Sequence, residues 1–149
     1  MESGPVREEE RLRADLYGLL ASLLSAPVDA ERLASVRALS GEESRLGRAV
    51  GALAQIAPRM SADEIRREYN ALFIGLGRGE LLPYASYYLT GFLNEKPLAT
   101  LRAHMAKLGI ERAEDTRDPE DLIASLCEMM AGLIRGDYGA ALPLADQDA

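Results

Sequence analysis

The chain has 149 residues, enough for one domain spanning 1–149 and too few for two ordinary ones. Its 48% apolar and 28% charged residues exclude disorder, and no apolar run approaches the roughly 18 residues that cross a bilayer. The net charge of −7 falls on residues 111–149, which hold 10 acidic and 3 basic groups; that surface repels a nucleic-acid backbone and attracts a basic peptide.

The elements are helical almost throughout. From Arg7 to Ser25, Leu12, Leu16, Leu19, Leu20, Leu23 and Leu24 recur at three- and four-residue steps, and Pro27 stops the helix. Asp29 reads as the N-cap of a shorter helix carrying Leu33, Val36 and Leu39. A third runs from about Glu42 to Ala57 and ends at Pro58. Ser61 and Glu64 form a capping-box pair ahead of Ile65, Tyr69, Leu72 and Phe73. Gly75, Gly77 and Gly79 then make a loop.

A helix of two to three turns is expected over Tyr84–Asn94. Pro97 fits the first position of the next helix, which Gly109 ends. Asp118 reads as the N-cap of the last strong helix, with Pro119 first, Asp121 third and Gly136 closing it. No run alternates with period two for long. The expected fold is all-α, a single globular bundle of six or seven helices.

One Cys and one His exclude an internal disulfide and nearly every zinc site. His104 reads as a solvated surface residue and Cys127 as a small buried hydrophobe. The acidic N-terminal residues are the reverse of a secretory leader, which implies a cytoplasmic chain.

Six of the eight aromatic residues, Tyr69, Phe73, Tyr84, Tyr87, Tyr88 and Phe92, surround the glycine loop. They suit either a recognition surface or a helix–loop–helix core. Tyr87 and Tyr88 are adjacent, so one of them should face solvent or a ligand. The Gly75-x-Gly-x-Gly79 loop follows a helix and lacks the Lys-Ser/Thr ending of a phosphate loop, so a mobile hinge near a partner fits it better.

Glu68-Tyr-Asn-Ala-Leu-Phe-Ile-Gly-Leu-Gly, Pro83-Tyr-Ala-Ser-Tyr-Tyr-Leu-Thr-Gly, Lys96-Pro-Leu, Leu108-Gly-Ile and Asp118-Pro-Glu-Asp121 occur in an order and spacing that resembles the TorD/DmsD/NarJ group of redox-enzyme maturation chaperones. The likeness runs from about residue 12 to 135. It implies a non-enzymatic, all-helical cytoplasmic chaperone. Such a chaperone binds the twin-arginine signal peptide of an apo-molybdoenzyme of the dimethyl-sulfoxide reductase superfamily and assists cofactor insertion before export.

Carried over by position, the peptide site would involve Tyr69, Leu72, Phe73, Pro83, Tyr84, Ser86, Tyr87, Asp118 and Asp121. The resemblance implies no cofactor beyond weak guanine-nucleotide binding in some members. The signature's His is Leu122 here, and the chain stops where the group's C-terminal helices would begin. That shortness leads to an expectation of uncovered apolar surface on Leu12, Leu16, Leu126 or Leu133, and of a homodimer or domain swap. The competing readings are a nucleotide-binding, GTPase-like helical protein using Asp118, Glu120 or Asp121, and a helical adaptor for a folded partner.

Overall fold

The structure is a computed structural model and describes residues 8–139. Seven α-helices and no strand occur among those residues: α1 (Glu8–Leu24), α2 (Ala30–Arg37), α3 (Arg45–Ile56), α4 (Ala62–Tyr69), α5 (Ala85–Thr90), α6 (Lys96–Lys107) and α7 (Ile123–Arg135). The all-α expectation holds. Two compact units divide them, one built from residues 26–81 and the other from residues 8–25 and 82–139.

In the contiguous unit, Asp29 caps α2 by accepting the Arg32 N–H at 2.8 Å, and Leu33 and Val36 are the buried residues of that helix. Ser44 caps α3 through the Gly47 N–H, which starts the helix at Arg45 rather than at Glu42. Pro58 follows in a short 3₁₀ turn, Ala57–Arg59. Both Nε and Nη2 of Arg37 donate to the Ala57 carbonyl, tying α2 to that turn.

The capping box at α4 is complete: Glu64 Oε2 accepts the Ser61 N–H at 2.8 Å, and Ser61 Oγ accepts the Glu64 N–H at 3.2 Å. These bonds hold the Glu64 carboxyl below the usual carboxylate range. Beyond Tyr69 the helix widens into a π turn, Asn70–Ile74, closed by Gly75 N–H donating to the Asn70 carbonyl at 2.7 Å. Side-chain periodicity does not announce that widening.

In the second unit α1 packs along α7. Ala14 is the buried residue of α1, while Leu12 is 59% exposed and Leu16, Leu19, Leu23 and Leu24 are half-buried. The buried residue on the α1 side is thus the small Ala14, with Ala131 buried on α7, rather than a member of the leucine stripe that the sequence emphasises. Small side chains let two helix axes approach more closely than leucines would. Arg135 of α7 reaches back to the Ala14 carbonyl and, at 3.1 Å, to Asp15.

Helices α6 and α7 of this unit end as the sequence indicates. Gly109 and Gly136 are left-handed, and the Ile110 and Asp137 N–H groups bond the Met105 and Gly132 carbonyls at 2.9 Å. Ile110 and Met105 are both buried, the apolar contact that accompanies such a stop.

In this unit three further boundaries differ from expectation. α5 ends at Thr90 rather than Asn94, because Gly91 takes a left-handed φ of 83°. Pro97 is the second residue of α6, after Lys96. α7 begins at Ile123, so Asp118 is not its N-cap and Pro119 and Asp121 lie outside it. Residues 121–123 pair instead with the segment that precedes α5.

Candidate functional site

The Pro83–Ser86 stretch and residues 118–123 form a clasp. The Ile123 N–H donates to the Pro83 carbonyl at 2.8 Å and the Ala85 N–H to the Asp121 carbonyl at 3.0 Å, around an isolated antiparallel bridge of Tyr84 with Leu122. The Asp121 carboxylate accepts the Ser86 N–H at 2.8 Å through Oδ2. It satisfies a donor at the first turn of α5 that no local side chain caps. This pairing competes with helix formation at 119–122 and explains the late start of α7.

Asp121 is 1% exposed and Ser86 0%, and Asp121 Oδ1 and Ser86 Oγ have no partner among the described residues. Asp121 is therefore buried and forms no part of an exposed acidic surface. Asp118 does: it is exposed, and its Oδ1 accepts the Tyr84 hydroxyl at 3.1 Å. Glu111, Glu114 and Asp115 are exposed upstream of it.

Glu120 was missed as a structural partner. Its Oε2 accepts from Arg102 Nε at 3.0 Å and Nη2 at 2.8 Å, bonds that hold its carboxyl below the usual range and raise the Arg102 guanidinium. No helical spacing could signal a pair 18 residues apart.

Pro83, Tyr84 and Tyr87 are half-buried in the same unit as the two aspartates, while Tyr88 is 68% exposed. Of the adjacent tyrosines, Tyr88 is the one that faces water. Their rings meet edge to face with centroids 5.7 Å apart. Tyr69, Leu72 and Phe73 belong to the unit of residues 26–81, where all three are half-buried and the Tyr69 and Phe73 rings lie 4.9 Å apart. The structure thus groups the nine expected residues as three in one unit and six in the other.

Neither of two notable clefts is lined by any of the nine. One, of about 330 Å³, lies beside Arg102, Ile110, Arg112 and Glu120. Another, of about 350 Å³, lies between α1 and α7 beside Gly18, Ser22, Arg135 and Tyr138.

The glycine loop folds back on the π turn, its Glu80 and Leu81 N–H groups donating to the Ala71 and Leu72 carbonyls. Those amides are committed to backbone oxygens rather than turned toward a phosphate. Cys127 is buried, which pushes its thiol up, and His104 is exposed. Among the described residues no group of three or more His, Cys, Asp or Glu could hold a metal ion, and no helix is long and apolar enough to cross a membrane.

Comparison with known proteins fits this architecture. A TorD chaperone of Aliivibrio fischeri is 31% identical over 82% of this chain and 64% of its own length. One from Vibrio cholerae is 30% identical over 91% of this chain and 70% of its own. The chain spans 64% of the length of the first of these relatives. A crystal structure from Archaeoglobus fulgidus, described as a candidate redox enzyme maturation protein, shares the fold with a TM-score of 0.60 at 21% identity, over 87% of this chain and 77% of that one. The profile of the nitrate reductase delta subunit family matches residues 41–148. The chain is a member of the nitrate reductase delta subunit family, related to the TorD chaperones.

Proposed function

We propose that this chain is a TorD-like redox-enzyme maturation chaperone that acts without catalysis in the cytoplasm. Its client is the apo form of a molybdenum-cofactor oxidoreductase of the dimethyl-sulfoxide reductase superfamily. It binds the client's twin-arginine signal peptide and assists cofactor insertion before export. The whole chain serves as one chaperone domain and needs no cofactor of its own, with weak guanine-nucleotide binding as a separate property to assay.

The observation that carries this reading is the similarity to a protein named as a TorD chaperone across 91% of the chain. Physical features agree with it. The half-buried aromatics Tyr69, Phe73, Tyr84 and Tyr87 offer apolar area with polar tips, and the exposed carboxylate of Asp118 suits a guanidinium. Leu72, Pro83 and Ser86 shape the segments that present them, and Asp121 holds one of those segments in place.

The test is titration of a synthetic twin-arginine leader into the full chain. The leader should bind, a lysine-substituted leader should bind less well, and Phe73→Ala should weaken binding at every salt concentration. A leader that shows no binding overturns the reading.

A further inference from the structure

Four large apolar side chains face water within six consecutive residues: Tyr88, Leu89, Phe92 and Leu93 are 68%, 71%, 69% and 42% exposed. Single exposed apolar residues are ordinary, but such a run marks a contact surface. The backbone holds it in a defined shape. Thr90 Oγ1 donates to the Ser86 carbonyl at 2.8 Å and accepts the Phe92 N–H at 3.2 Å, and the Gly91 N–H bonds the Tyr87 carbonyl at 2.7 Å.

The other end of the same short helix is acidic. Tyr84, which precedes α5, bonds Asp118, the last of the exposed carboxylates Glu111, Glu114, Asp115 and Asp118. A six-residue helix is about 9 Å long, so the apolar run and Asp118 lie on the order of one such length apart. A peptide with cations beside an apolar segment complements both ends.

Resting on the leader-binding reading above, we infer that Tyr88, Leu89, Phe92 and Leu93 form the surface on which the leader's apolar segment lies, with its arginines toward Asp118. The spacing corresponds to about three residues of an extended ligand or six of a helical one.

The experiment is fluorescence anisotropy on the full chain with a labelled peptide carrying two adjacent arginines ahead of a Leu/Ala segment. Leu89→Ser combined with Phe92→Ser should weaken binding about tenfold and leave the salt dependence of the remaining binding unchanged. Asp118→Asn should flatten that salt dependence. Circular dichroism checks that each variant keeps the parent's helix content, and Leu89→Ala with Phe92→Ala replaces the serine pair if it does not.

Equal affinity of the double variant and the parent overturns this inference and leaves leader binding standing. A peptide that fails to bind the parent overturns both. Unchanged peptide affinity with loss of a parental dimer in sedimentation assigns the surface to a second copy, and also overturns it.

Discussion

Asp121 caps α5 across 35 residues of sequence, its carboxylate 2.8 Å from the Ser86 N–H with both residues buried. A six-residue helix does not persist in water on its own propensity. Its position is set by this bond together with the Ala85 and Ile123 backbone bonds beside it.

Removing the cap should therefore cost more than an ordinary surface change. Asp121→Ala leaves a buried N–H without an acceptor and should destabilise the chain by about 1–3 kcal/mol. Asp121→Asn retains an oxygen and should cost less. Urea denaturation measures both, and a loss below about 0.5 kcal/mol for the alanine variant contradicts the capping role.

The Arg102–Glu120 pair makes a pH-dependent contribution. Glu120 is held below the ordinary carboxylate range, first by its bond from Arg102, so the pair stabilises the fold fully above about pH 4.3. That stability is lost as pH falls through the lower folded value. Glu120→Gln should cost no more than about 1 kcal/mol at pH 7, because the arginine is solvent-screened. The difference from the parent should vanish in strong acid, and a difference that persists there contradicts the ion-pair origin.

Gly132 in α7 sets two effects against each other. Alanine is the better helix former by about 1 kcal/mol, yet a Cβ there would sit 2.5 Å from the Tyr138 ring. Overpacking of this kind costs about 1–3 kcal/mol, so Gly132→Ala should destabilise the parent. In a Tyr138→Ala background the same change should stabilise. Burial also raises the Tyr138 phenol, and displacing the ring should bring its titration back toward the ordinary tyrosine value. A double-mutant cycle that is additive contradicts the contact.

Gly75 and Gly77 both have left-handed φ, at 61° and 92°, but a Cβ on Gly75 would lie 2.0 Å from the Arg78 carbonyl oxygen while one on Gly77 meets open space. Gly75→Ala should lower the melting temperature clearly more than Gly77→Ala. Equal losses would mean that the backbone angle alone matters.

Local chemistry made much of this legible in the sequence. Asp29, the Ser61–Glu64 box, Gly109 and Gly136 act within one turn of themselves, and each does what its type and position dictate. What could not be read acts across the chain. Asp118 looks like a helix cap until Tyr84 is seen to hold it, and Asp121 looks like a first-turn carboxylate until Ser86 is found beneath it. The leucines of α1 outweigh its alanines by hydrophobicity, yet Ala14 is the buried residue of the helix. The family resemblance named the segments of the candidate site; it could not say that Asp121 would be buried while Tyr88, Leu89, Phe92 and Leu93 faced water.

The bond from Arg135 to the Ala14 carbonyl joins residues 121 apart, across a stretch that includes the whole contiguous unit of residues 26–81. A ribosome delivers α1 before the contiguous unit of residues 26–81 and its partner α7 after it. The intervening unit can close its own short-range contacts while the chain is still growing. Helix α1 must wait, its Ala14 face unpaired, until nearly all of the described chain has been synthesised. Loop closure over such a length costs only slightly more than over half of it, but the delay is set by translation rather than by entropy. During that interval the buried face of α1 stays open to water.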